Sequence, residues 1–328
     1  KWLQEEQVIE VLTSAATHAF LPLMETDSAV FAQVHIGVET YQRYFDRLPR
    51  GFWLPECAFR PSQWSEKNQR MRKGIDQWLA DEGIEYFFME NVGITRASFV
   101  ENRHGETSPT PMRGYRLASK VSVFGRNEAT GKQVWSPDHG YPGDPYYLEF
   151  HSKDSESGLH YQRVTGSPEK QVYDMDKARQ RVESHARHFT DLVTDLLDKT
   201  AATIPDPVIV APYDCELFGH WWHEGVAWLE LVYRLLAQKD TVDSGSLGEY
   251  LDGHGTDLST IAMQPSTWGL NSDYTVWQGP DHAWIWPYIN SSSREAEILL
   301  EQIRPIDVRS ERILRQMVRE LLLMQGSD

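Results

Sequence analysis

Between positions 28 and 45, apolar side chains fall at 30, 34, 38, 41 and 45, the spacing of one helix face, and Ser28 stands where an N-cap is expected. After Pro49-Arg50-Gly51 a short apolar run, Phe52-Trp53-Leu54, reads as a strand that stops at Pro55-Glu56. The same helix-turn-strand unit returns twice. Met71, Ile75, Trp78 and Leu79 share a face that Gly83 ends, before a strand from Ile84 to Phe88. Val182, Ala186, Phe189, Val193 and Leu196 form another face, before Val208 to Ala211. Strands that are apolar throughout and separated by helices predict an α/β fold with a parallel sheet covered on both faces. In such sheets chemistry gathers at the C-terminal strand ends.

From Ser98 to Ser122 the pattern turns polar and rich in turn formers, which predicts a long exposed loop of the kind that forms lids. The stretches 135–145 and 243–271 are also loop-rich, and about the last 40 residues read as helical. The chain opens at Lys1 on an amphipathic pattern (Leu3, Val8, Ile9, Val11, Leu12) and stops at Asp328 directly after a helical one (Ile313, Met317, Leu321), so truncation at both ends is expected.

Composition narrows the picture. With 328 residues and 40% of them hydrophobic, a sizeable core is possible and disorder is excluded. Only Cys57 and Cys215 are present, which predicts unbridged thiols in a reducing, cytoplasmic setting. A net charge of −16 argues against a nucleic-acid partner, and the lack of a long apolar run argues against a membrane span. The 12 Trp fit ligands with flat, weakly apolar faces such as sugar rings, alongside ordinary core packing.

Two segments carry the candidate chemistry. Glu56 follows an apolar strand and a Pro, at the mouth of the sheet, and strand alternation would turn Cys57 toward the outer helices. The alternative is a helix-capping Glu or a partner for Arg60. Ala211-Pro212-Tyr213-Asp214-Cys215-Glu216 repeats the arrangement, with Glu216 expected on the same strand face as Asp214. Paired carboxylates about 5–5.5 Å apart are what a retaining glycosidase needs. His220 and His223 flank Trp221-Trp222; with Asp214 and Glu216 they could ligate zinc, but no second cluster completes such a site. His220 reads better as a hydrogen-bonding partner of a sugar hydroxyl, or as a core histidine. Trp135, Trp268 and Trp277 stand in loop-rich sequence as groove-lining candidates, with Trp284 and Trp286 assigned to packing.

At these residues the sequence resembles glycoside hydrolase family 57 and, within it, the 1,4-α-glucan branching enzymes. Trp53 to Phe59 looks like the family segment around the nucleophile, and Ala211 to Gly225 like the segment holding the general acid/base. Leu12 to His18, Val123 to Arg126, Val134 to Ser136 and Trp268 to Trp277 also match, so the resemblance covers essentially the whole chain. It implies an incomplete (β/α)7 barrel over 1–260 with an inserted or lid segment at about 61–122, followed at 261–328 by the start of a helical C-terminal domain. It also implies Glu56 as nucleophile and Asp214 as acid/base. Trp135, Trp268 and Trp277 would contact glucan, with His18, Trp53, Glu216, His220 and Trp221 as further substrate-binding residues. No cofactor or metal is implied. The substrate would be an α-1,4-glucan such as amylose or a glycogen-like polymer, cleaved and transferred to a 6-hydroxyl.

Three departures from the family pattern stand out. The first barrel strand with its His-Gln-Pro motif has no counterpart, so another chain or segment would complete the barrel. Glu90-Asn91 stands where an Asp-Thr-His run is usual, and no Tyr lies between Tyr86 and Tyr115, where branching members carry a lid tyrosine. Free water access would move the outcome toward α-amylase-like hydrolysis. A catalytically silent glucan-binding protein and a metal-dependent deacetylase are the readings from other classes.

Overall fold

The computed structural model describes every residue except 67–68, 137–138, 304–306 and 328. Pro137, part of the turn-rich stretch 135–145, therefore lies outside the described residues. The chain forms two compact units, Lys1–Gly125 with Ser246–Asp328, and Arg126–Gly245.

The first unit is built on seven strands: β1 (Thr13–Ser14), β2 (Gly51–Trp53), β3 (Tyr86–Met89), β4 (Ser98–Glu101), β5 (Gly114–Arg116), β6 (Ser122–Gly125) and β7 (Thr260–Ala262). Their spatial order is β1-β2-β3-β6-β5-β7-β4. The pairs β1-β2, β2-β3 and β3-β6 are parallel, with Ser14 beside Trp53, Phe52 beside Phe87 and Phe87 beside Val123. The sheet is mixed, not parallel throughout, because β6 runs antiparallel to β5 and β7 antiparallel to β4. The β5-β6 connection is a tight turn, closed by the Val121 carbonyl accepting from the Leu117 N–H at 2.9 Å, and so short a link permits only antiparallel neighbours. The expected loop at 98–122 is thus a loop only between β4 and β5, and Tyr115 within it is fully buried.

The helix at Asp27–Phe45 buries Val30, Val34, Val38 and Tyr41, as its periodicity predicts, but its cap is Thr26, whose side chain accepts from the Ala29 N–H, and not Ser28. Met71 belongs to a hairpin, Gln63–Ser65 with Arg70–Arg72, and the next helix starts only at Ile75, after Gly74. Gly83 ends that stretch in a left-handed conformation, φ +76°. Two long helices, Ile285–Gln302 and Val308–Met324, make the expected helical C-terminal part.

The second unit packs the helices Met175–Ala201 and Gly225–Leu236 around Tyr141, Tyr147, Phe189, Trp222 and Trp228. The expected strand at 208–211 is reduced to one parallel bridge, Val210 to Arg126, backed by the Asn127 N–H donating to the Val210 carbonyl at 2.8 Å. Among the described residues no helix is long and apolar enough to cross a membrane.

Candidate active site

In the first unit β2 ends at Trp53, so Glu56 is positioned by a turn and not by strand alternation. Pro55-Glu56-Cys57 forms a single 3-10 turn in which Glu56 (φ 58°) and Cys57 (φ 45°) both adopt left-handed backbone. For residues with a Cβ this costs about 1–3 kcal/mol each and persists only where neighbours over-determine it. The neighbours here are the Ala58 N–H donating to the Pro55 carbonyl at 2.9 Å and the Trp268 N–H donating to the Glu56 carbonyl at 3.0 Å. Beyond them, Phe59 and Ser266 exchange two backbone hydrogen bonds, of 2.9 and 3.2 Å.

The Glu56 side chain is 13% exposed. Its Oε2 accepts the Trp268 indole N–H at 2.7 Å; its Oε1 lies 3.2 Å from Ser327 Oγ and 3.9 Å from His18 Nδ1. His18 is also left-handed (φ 53°). Buried Gln33 ties its loop in place: Gln33 Oε1 accepts from the Thr17 N–H at 3.1 Å, while Nε2 donates to Gln325 Oε1 at 2.9 Å and to the Leu322 carbonyl at 3.2 Å. One glutamine on the Asp27–Phe45 helix thereby brings the His18 loop and the Ser327 segment to the same carboxylate. Trp53 meets the Trp268 ring edge-on at 5.8 Å. Trp277 stacks on buried Phe20 at 4.4 Å, and its carbonyl accepts the Trp286 indole N–H at 2.7 Å. The structure thus gathers His18, Trp53, Glu56 and Trp268, and adds Ser327, which no sequence pattern marked. Arg60, the alternative partner for Glu56, is buried and donates to the neighbouring Pro61 carbonyl. Trp284, expected to pack, is 64% exposed. Glu90 caps the short helix Asn91–Thr95 by accepting the Asn91 N–H at 3.0 Å.

In the second unit Asp214 is half-buried at the entry to the 3-10 turn Cys215–Leu217, its carbonyl accepting the Leu217 N–H at 3.2 Å. The segment is anchored by Tyr213, whose hydroxyl donates to the Thr130 carbonyl at 3.0 Å; burial pushes that phenol's pKa upward. Because this is a turn, the expected common strand face for Asp214 and Glu216 does not form, and Glu216 is exposed. Cys57 is buried and Cys215 is exposed, and the two are not joined to each other by a disulfide.

At Gly219 (φ +84°) the chain turns back, with the Gly219 N–H donating to the Trp222 carbonyl at 2.9 Å. The turn sends Trp222 into the core and leaves Trp221 46% exposed, packed on Phe150 at 4.4 Å with His220 edge-on to Phe150 at 5.0 Å. Buried Glu224 holds the Phe150 loop by accepting the Leu148 N–H at 3.1 Å. Trp135 ends the helix Glu128–Trp135 and is exposed. Among the described residues, no group of three or more His, Cys, Asp and Glu side chains comes together as a metal-binding cluster.

The model of glycosyl hydrolase family 57 matches residues 1–257. The chain belongs to glycosyl hydrolase family 57. A 1,4-alpha-glucan branching enzyme of Thermococcus kodakarensis is 42% identical over an alignment of 340 positions that covers 99% of this chain and 50% of the relative. A probable 1,4-alpha-glucan branching enzyme of Mycobacterium tuberculosis is 31% identical over 98% of this chain and 58% of the relative. Among solved structures, the family 57 branching enzyme of Thermococcus kodakaraensis, in complex with glucose, superposes with a TM-score of 0.91 at 42% identity, covering all of this chain and 62% of the other. The alpha-amylase AmyC of Thermotoga maritima gives 0.82 at 31% identity, also covering all of this chain and 62% of the other. This chain therefore spans 50% and 58% of the length of these two curated relatives.

Proposed function

We propose that the protein is a retaining 1,4-α-glucan branching enzyme acting on amylose or a glycogen-like polymer. The observation that carries the reading is 42% identity, across 99% of the chain, to a protein named for that activity. The held carboxylate of Glu56 supports it. Glu56 attacks the anomeric carbon as the glycosidic bond breaks, and Asp214 gives its proton to the departing chain. Asp214 then takes the proton of an acceptor 6-hydroxyl, whose oxygen displaces Glu56 and closes an α-1,6 branch.

Trp53, Trp268 and His18 around Glu56, with Trp277, and Trp221, Trp135, His220 and Glu216 in the other unit, are read as the glucan-binding residues. The same proposal includes a (β/α)7-type barrel over 1–260 with a helical domain beginning at 261, a cytoplasmic setting and a role in glycogen metabolism.

Hydrolysis of α-1,4 links is the second reading. It is favoured by the structural likeness to an α-amylase and by the lack of a Tyr between Tyr86 and Tyr115. Incubation of the full-length protein with amylose separates the readings. New α-1,6 anomeric signals by NMR support branching, and reducing ends without new branches support hydrolysis. No change in the polymer supports glucan binding alone. EDTA leaves the rate unchanged if the chemistry rests on the two carboxyl groups.

A further inference from the structure

The two oxygens of Glu56 stand in different environments, and this deepens the reading of Glu56 as nucleophile, on which it rests. Oε2 accepts the Trp268 indole N–H at 2.7 Å, the length of a charge-assisted hydrogen bond. Oε1 faces Ser327 Oγ at 3.2 Å, but that hydroxyl has a single proton and the His18 carbonyl lies closer to it, at 2.8 Å. Oε1 is therefore the more loosely held oxygen.

Trp268 is itself well fixed. Its backbone N–H donates to the Glu56 carbonyl at 3.0 Å, so main chain and ring grip the same residue. Its preceding neighbour Thr267 is buried and donates through Oγ1 to the Asp273 carbonyl at 2.7 Å. Stacking on a sugar needs only the face of an indole. Here the ring nitrogen is committed to the carboxylate, a duty that a stacking platform does not require.

We propose that Trp268 is a positioning residue that holds Oε2 of Glu56, so that Oε1 is the oxygen that bonds to the anomeric carbon. In the first half-reaction a lone pair of Oε1 forms the bond to C1 while the C1–O4 pair leaves with the departing oxygen, which is protonated by the acid. Oε2 becomes the carbonyl oxygen of a neutral ester, and its hydrogen bond weakens as charge leaves it. In the second half-reaction the acceptor oxygen bonds to C1 as its proton passes to Asp214, the C1–Oε1 pair returns to the carboxylate, and the hydrogen bond strengthens as that bond breaks. An interaction stronger in the transition state than in the state before it accelerates that step. The Trp268 N–H thus serves the breakdown of the glycosyl-enzyme.

The test uses the full-length enzyme with an α-maltooligosyl fluoride donor, whose fluoride leaves without an acid, and a glucan acceptor. Trp268→Phe keeps an aromatic ring without the donor. Replacement of Trp268 by benzothienylalanine removes the N–H and nothing else of the ring's shape. Both should give a burst of fluoride near one per site, then a steady state about 10- to 100-fold slower than wild type. KM should fall together with kcat, and intact mass should show a glycosyl adduct. Wild-type kcat with a raised KM and no burst would mean a stacking role alone and would overturn the inference. If Trp268→Phe loses its cooperative melt, the isostere decides. Glu56→Gln run in parallel keeps the two levels apart. An active Glu56→Gln removes the nucleophile reading, whereas an inactive one beside an isostere with wild-type kcat removes only the role of Trp268.

Discussion

His18 and Ser327 are joined three times. The Ser327 N–H and Oγ–H both reach the His18 carbonyl, at 3.1 and 2.8 Å, and the hydroxyl lies 2.9 Å from His18 Nδ1. The pair sits against Oε1 of Glu56, 3.2 Å from the Ser327 hydroxyl, whose one proton can turn either to the His18 carbonyl or to the carboxylate. Ser327→Ala keeps the backbone bond and removes the hydroxyl that stands between His18 and Glu56. A neutral hydrogen bond contributes about 0.5–1.5 kcal/mol, so kcat should fall roughly 2- to 12-fold while the melting temperature barely moves. Ser327→Thr, which retains a hydroxyl, should recover most of the rate. Steady-state kinetics on amylose with both variants checks this.

The carboxyl assignments make a larger prediction. Glu56→Gln and Asp214→Asn each keep shape and lose the reacting group, so both should lose activity by orders of magnitude and still bind glucan. Their defects should differ with an activated fluoride donor. Asp214→Asn should still form the intermediate, because no proton is needed for fluoride to leave, and Glu56→Gln should not. Near-normal turnover by either variant would remove that residue from the mechanism.

Trp221 and Trp222 are neighbours in sequence with opposite surroundings, 46% and 1% exposed. Trp222→Ala opens a cavity among Tyr141, Tyr147 and Trp228 and should cost about 3–5 kcal/mol, read by denaturant melts. Trp221→Ala should leave stability nearly unchanged and raise the KM for glucan, since what it loses is an exposed face backed by Phe150.

How much of this was legible depends on what kind of order each residue takes part in. The faces at 30, 34, 38 and 41 and at 182, 186, 189 and 193 are periodic because burial on a helix is periodic, and all eight residues are buried. The pattern of strand, Pro and acid pointed to Glu56, yet its orientation comes from left-handed backbone at two non-glycine residues, for which sequence carries no local signal. Strand alternation misplaced Glu216 relative to Asp214 because Cys215–Leu217 is a 3-10 turn and not a strand. Ser327 lies 271 positions from Glu56 and belongs to no motif, so only the folded chain brings it there. Trp268 could be read as a groove-lining aromatic, but the direction of its N–H depends on its pairing with Glu56, and no pattern encodes that.

Gly37 marks where the Asp27–Phe45 helix touches β1. A Cβ there would stand 2.0 Å from the Ser14 carbonyl oxygen, a backbone atom that cannot swing aside, while Thr13 Oγ1 donates to the Gly37 carbonyl at 2.8 Å. Gly37→Ala should raise helix propensity yet destabilise the protein by up to about 2 kcal/mol net, because overpacking costs about 1–3 kcal/mol against a gain of about 1 kcal/mol from replacing Gly. A lower denaturation midpoint at unchanged m-value is the expected signature.

His185 gives the second unit a pH dependence of defined sign. Burial is the main cause that pushes its pKa from 6.5 down to about 4; Arg181 lowers it further, and Asp144 opposes the shift. The geometry agrees, since an Arg181 N–H faces Nε2 at 3.1 Å, which leaves the Nδ1 proton to donate to the Tyr147 hydroxyl at 2.8 Å. The folded chain therefore holds the ring neutral, while the unfolded chain takes up a proton below 6.5. Wherever the unfolded state binds more protons, stability falls as pH falls, here from about 6.5 down to about 4. Above about pH 5 few carboxylates titrate, so the interval from about 6.5 to 5 isolates this group, and the loss there should be about 1–2 kcal/mol. Denaturant melts of wild type and His185→Gln across that interval provide the check. The variant starts less stable but should have a flatter profile, and parallel profiles would mean that His185 is not the titrating group.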